Sequence, residues 1–195
     1  MIKPSEVILL VEDGHQQRLI YKHLLKCGFT RHDIRQVPFL PGQGSAESWV
    51  RREFVEQTNA YRNRQARAET GLIVMIDADK YTVRERWNQL DQVLKDRGKR
   101  TVGRRERIVR LVPKHNVETW ILCLNEEPVD EETDYKGTSH EWNELILTAS
   151  ETLCQWTRLN TEPPNRCVKS RERYVKHRCY SGAGAGGWPG VVDFC

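Results

Sequence analysis

Val7-Ile8-Leu9-Leu10-Val11-Glu12-Asp13-Gly14 and Leu72-Ile73-Val74-Met75-Ile76-Asp77-Ala78-Asp79 decide the fold. Each is a five-residue apolar run, rich in β-branched side chains, that ends abruptly in acids. An apolar run without polar alternation reads as a strand buried on both faces, the habit of a parallel sheet. Between and after these runs lie helical patterns. Leu19, Ile20, Leu24 and Cys27 form one stripe over residues 15–27, and Gly28 is a stop signal. Residues 34–39 read as a second strand, and Pro41 to Gly44 as a turn. Ser45 caps a helix that runs to about Arg67. Thr82-Val83-Arg84-Glu85 is a capping box opening a helix that Gly98 ends. Residues 107–112 read as a fourth strand, Asn116 as the cap of a short helix, and Thr138 to Glu141 as a second capping box with a helix to about Trp156. Strand and helix therefore alternate four times. That order predicts an α/β fold, an open and mostly parallel sheet covered on both faces, with functional groups at the carboxyl ends of the strands.

Composition narrows the function classes. The 195 residues are 30% charged, with a net charge of +4 and a mean hydropathy of -0.69. No apolar stretch is long enough for a membrane span, and residues 1–6 do not resemble a signal peptide, so a cytoplasmic protein with no membrane association is expected. None of the six cysteines forms a C-x-x-C pair, which argues against a zinc ribbon. Cys27, Cys123 and Cys154 fall in helical or apolar patterns and read as buried free thiols. Charge is unevenly spread. Eight basic residues lie between Lys95 and Arg110, a stretch suited either to phosphate contacts or to a solvated loop, and six acids lie between Glu126 and Asp134. Residues 161–195 are basic, then Gly-rich, without periodicity, and are expected to be flexible.

The acids at the strand ends carry the chemistry. Asp77 and Asp79, two apart in an extended segment, can face one point, with Glu12 arriving from the neighbouring run. Like charges held together repel. A divalent cation relieves the conflict, and magnesium in particular takes one or two carboxylates together with water and phosphate oxygens. Acids also end strands and cap helices without any function. It is the paired arrangement that favours a site. Lys114, just after a strand, suits a phosphate oxyanion. Lys80, His15 and His115 lie close to strand ends as well. The tryptophans at 49, 87, 120, 142 and 156 sit at helical positions and read as core.

These motifs resemble the Toprim family, which has a glutamate after its first strand and Asp-x-Asp after its third. Here they are Glu12 and Asp77-Ala78-Asp79, and the likeness covers residues 6–125. Val112-Pro113-Lys114-His115-Asn116-Val117-Glu118-Thr119-Trp120 resembles the Pro-x-x-x-x-Glu-x-Trp element of small standalone Toprim-like proteins from bacterial anti-phage defence loci. The resemblance implies a Toprim-like, Rossmann-like domain over residues 1–125, an acidic loop and helix packing on it over 126–160, and the tail 161–195. It implies a metal-dependent nuclease acting on DNA, RNA or tRNA alongside an ABC-type ATPase. Mg2+ or Mn2+ would be held by Glu12, Asp77, Asp79 and Glu118, with Glu12 as base or ligand and Lys114 assisting. Relatives often have Gly after the glutamate where this chain has Asp13, a residue free to ligate metal, cap the helix or shift the backbone. Two other readings stay open. One is a receiver-like phosphoacceptor using Asp77 and Lys114, and the other is a non-catalytic subunit that binds a partner. A homo-oligomer stays open too.

Overall fold

The computed structural model describes residues 4–40, 42–130 and 133–159. The elements run β1 (Glu6–Val11), α1 (Gly14–Lys26), a 3-10 turn (Arg31–Asp33), β2 (Ile34–Gln36), α2 (Ala46–Arg64), β3 (Thr70–Met75), α3 (Val83–Asp96), β4 (Ile108–Leu111), α4 (Val117–Leu124) and α5 (Trp142–Leu159). The four strands form one sheet in the order β2-β1-β3-β4, with every pair parallel. The expected open α/β sheet is therefore present, and it is wholly parallel.

The two continuous apolar runs are its inner strands. Leu9 pairs with Ile73 and Val11 with Met75, and every residue of β3 is buried. Alternate side chains serve opposite faces. Val7, Leu9, Ile73 and Met75 pack beneath α1, α4 and α5. Ile8, Leu10, Leu72 and Val74 pack beneath α2 and α3. The outer strands β2 and β4 are shorter and less buried.

Most punctuation works as the sequence predicts. Ser45, the Thr82–Glu85 box and Asn116 cap α2, α3 and α4. Gly28 and Gly98 follow α1 and α3 at φ of 87° and 66°, the left-handed backbone that closes a helix end. Four expectations need correction. β2 stops at Gln36 rather than Phe39. Val37 N–H still donates to Leu9 O, so the next N–H on that side belongs to Phe39, and Pro38 between them fixes its own φ and restricts Val37. The helix α2 ends at Arg64, short of Arg67. The box at Thr138 does not form, because its hydroxyl donates to Tyr135 O, and α5 starts at Trp142. Among the cysteines, Cys154 is a buried thiol and Cys27 a half-buried one, their sulfurs 3.5 Å apart, and Cys123 is disulfide-bonded. The tail 161–195, with Trp188, and the side chain of Trp156 lie outside the described residues. Among the described residues, no helix is long and apolar enough to cross a membrane.

Candidate active site

The connection leaving β1 turns to the α1 face, whereas the one leaving β3 turns to the α3 face. The crevice between the carboxyl ends of these adjacent strands is the topological switch point, where open α/β sheets bind ligands. Glu12 and Asp77 are the first residues past Val11 and Ile76 on its two sides.

The backbone explains how they meet. As β1 and β3 part, their ladder ends and leaves N–H groups that need acceptors. Ile76 N–H still bonds Leu111 O, and Ala78 N–H bonds Pro113 O, so residues 76–78 continue against β4. Asp77 N–H faces the other way and donates to Glu12 Oε2 at 3.1 Å. Glu12 N–H donates to Gln16 Oε1 at 2.9 Å, and Gln16 Nε2 donates to Asp77 Oδ1 at 2.7 Å. The three residues close a ring in which side chains replace the lost ladder. Gln16 is fully buried and Asp77 is 2% exposed.

This enclosure controls protonation. Burial, then the charges of Glu12 and Asp13, push the Asp77 carboxyl up to about 9. Burial and the charges of Asp79 and Asp13 also raise Glu12, against the lowering effect of Asp77 N–H and Lys136. Glu12 thus ionises first, and its charge helps hold the proton on Asp77. Lys136 is the cation whose field reaches both acids. Its burial works against its own charge, but Asp13, Asp77 and Glu118 outweigh that and raise it. A short relay positions it. Asn116 Nδ2 donates to Asp134 Oδ1 at 2.6 Å, Lys136 N–H donates to the same oxygen at 2.9 Å, and Lys136 Nζ reaches Asp13 Oδ2 at 3.2 Å.

The other predicted residues gather nearby in different company. Asp13 caps α1 by accepting from His15 and Gln16 N–H, the capping role among the three left open. Asp79 does not follow Asp77 in direction. Its φ is 53°, a left-handed conformation that aspartate tolerates better than most residues. Its carboxylate is exposed and lies 3.8 Å from Arg86, although its charge still raises Glu12 and Asp77. Arg86 is fully buried. It pairs with Glu47, donates to Gln89 Oε1 at 2.9 Å and Ala78 O at 3.4 Å, and its guanidinium lies over Tyr81. Lys114 Nζ donates to Asp79 O (3.3 Å) and Tyr81 O (3.5 Å), so it braces the β3–α3 connection. Glu118 is fully buried, bonded at 2.5 Å to His15 Nδ1, and its Oε2 has no hydrogen-bond partner. Lys80 lies over the Tyr81 ring, and His115 is half-buried. In the basic run, Arg100 joins Arg62 on Glu106, Arg107 pairs with Glu69 and Arg110 with Asp91.

Gln16, Arg86 and Lys136 escaped the sequence reading. The available signals were slight: a lysine alone beyond a run of six acids, and an arginine on the apolar side of a helix.

The donor set suits a hard divalent cation. Two hard-oxygen side chains, both raised chiefly by burial, are the kind of donor that magnesium takes up alongside water and phosphate. Among the described residues, no three His, Cys, Asp or Glu side chains are grouped as a metal site; Glu12 and Asp77 share the hydrogen-bonded ring, while Asp79 lies 3.8 Å from Arg86 and Glu118 is bonded to His15. Compared with known proteins, the chain matches no family model, no curated protein and no solved structure.

Proposed function

We propose that this chain is a metal-dependent nuclease that hydrolyses phosphodiester bonds in DNA or RNA. The observation that carries this reading is the hydrogen-bonded ring of Glu12, Gln16 and Asp77 at the switch point, in which the buried Asp77 and the half-buried Glu12 both have their carboxyls raised. A structural pair would be expected to have an arginine or lysine locked between its members. Among the described residues, Lys136 pairs with Asp13 instead, and no arginine or lysine forms an ion pair with Glu12 or Asp77.

Asp77 and Glu12 would hold Mg2+ or Mn2+, with Asp79 at the outer edge. When bound, such an ion supplies neutralisation of charge on a phosphate oxygen. Gln16 fixes the Asp77 carboxyl, and its bond to Glu12 N–H orients the other acid. Glu12 ionises before Asp77, so it is the group that accepts the proton of attacking water. Lys136 offers its ammonium to the non-bridging oxygens of the substrate. Asp79, braced by Arg86 and Lys114, sets the shape of the connection around the pair. Action in the cytoplasm with an ATPase partner, in defence against phage, belongs to the same proposal and is supported by the Toprim likeness of Glu12, Asp77-Ala78-Asp79 and the Glu118 element.

The test is cleavage of plasmid DNA, single strands and total tRNA with Mg2+ or Mn2+. Wild type should cut at least one substrate. Glu12→Ala, Asp77→Ala and EDTA should each abolish cutting. No cleavage of any substrate with either metal overturns the proposal.

A further inference from the structure

Beside Glu12 lies a cavity of about 550 Å³ that the reading above does not use. Its volume is within the range of small-molecule sites, about 300–1,000 Å³. It opens where the carboxyl ends of β1 and β2 meet the start of α1. Glu12 and Asp13 line one part of it, and Val11, Val37, Pro38 and Phe39 give it an apolar lining. Among the described residues, no lysine or arginine lines it, so a bare phosphate would meet two acids there and no compensating charge from the lining. The occupant it suits is uncharged, with both apolar and hydrogen-bonding surface.

Two features make that occupant flat and hydrogen-bonding. Phe39 is 44% exposed although it is a large aromatic. It is held edge-on against the buried Trp49, with ring centroids 5.1 Å apart, so its remaining surface is presented without being loose. Gln17 and Gln36 also line the cavity. Gln17 Nε2 donates to Gln36 Oε1, a bond that ties α1 to β2. Among the described residues, Gln17 Oε1 and the Gln36 amide hydrogens have no partner. That bond leaves an acceptor on Gln17 and a donor on Gln36 unused, the two functions by which carboxamides read the edge of a base.

We propose that this cavity seats a nucleobase adjoining the phosphate that Glu12 and Asp77 address, stacked on Phe39 and read by Gln17 and Gln36. This rests on the reading of Glu12 and Asp77 as the phosphodiester site. A neutral base in this cavity would place its own phosphate beyond the acids that repel it, at the edge where a cation is taken up.

The experiment is equilibrium binding by fluorescence anisotropy in EDTA, so that no cleavage intervenes. The probes are short single-stranded ribo- and deoxyribo-oligomers, with an abasic oligomer of the same length as control. Wild type should bind a base-bearing oligomer more tightly than the abasic one. Phe39→Ala, at an exposed position, should remove that difference, a loss of about 5- to 150-fold for one stacked base. Gln36→Ala should alter the preference among bases. Equal binding of base-bearing and abasic oligomers by wild type, or an unchanged preference in Phe39→Ala, overturns the proposal. Base-dependent binding with no cleavage under any metal would keep the base site and sink the nuclease reading. Cleavage without base dependence would do the reverse.

Discussion

Asp77→Asn should make the metal-free protein more stable while removing its activity. The free carboxyl of Asp77 has its pKa raised from 3.8 to about 9. The folded chain thus keeps a proton that the unfolded chain releases. Stability from this group is full below about pH 4 and is lost as pH rises toward 9, because the unfolded state alone gains from ionising. At pH 7, about three pH units above the ordinary value, each unit is worth 1.36 kcal/mol, so the cost approaches about 4 kcal/mol. Asparagine occupies the same volume, carries no charge, and can still accept from Gln16 Nε2 through its carbonyl. Urea denaturation in EDTA at pH 5, 6, 7 and 8 would measure the difference. It should be small at pH 5 and grow by about 1.4 kcal/mol per unit, reaching a rise in Tm on the order of 10 °C at pH 7. Mg2+ should then stabilise wild type and leave Asp77→Asn unmoved, because ligand that binds only the native state adds stability by mass action. A difference that does not change with pH, or a variant less stable at every pH, would refute the account of a confined proton.

Other substitutions probe the supports of the pair. Glu12→Ala strips the acceptor from Asp77 N–H and should cost about 1–3 kcal/mol, seen as a lower urea midpoint even without metal. Arg86→Leu leaves Glu47 without its buried partner and should destabilise by about 3 kcal/mol in the same denaturation assay. Glu118→Gln removes the charge from a fully buried side chain bonded to His15 and should cost about 2 kcal/mol, with the His15 ring resonances in an NMR spectrum shifting together with it. Asp13→Ala loses the cap of α1, about 1 kcal/mol, whereas Asp13→Asn should keep most of that stability while releasing Lys136. Comparing their thermal midpoints separates the two roles.

The elements that the sequence declared most openly were those whose local chemistry needs no distant partner. Residues 7–11 and 72–76 announce inner strands because nothing but a doubly covered sheet would bury them. Thr82 and Glu85 cap each other within one turn. Glu12 and Asp77 were visible because acids stand out after such runs. Gln16 was not, since a glutamine in the first turn of a helix reads as solvated until a strand 61 residues away presents Asp77 to it. Lys136 depends on Asn116 and Asp134 to bring it over the site, a relay of tertiary contacts. The direction of Asp79 hinged on one dihedral, and an Asp-x-Asp pattern read as extended cannot anticipate a left-handed third residue. Thr138 failed as a cap for a related reason, because a nearer carbonyl claimed its hydroxyl.

The ring of Glu12, Gln16 and Asp77 also has a consequence for descent. Each member satisfies another, so truncating one orphans a second. Truncating the acid at 12 orphans the amide of 77, and truncating the acid at 77 leaves the glutamine amide buried with no acceptor. Asparagine at 77 is the single step that removes the charge and keeps every bond of the ring. A lineage in which the activity fell out of use should therefore leave the triplet through asparagine at 77, with 12 and 16 held after it, rather than show the scattered single changes expected of independent sites.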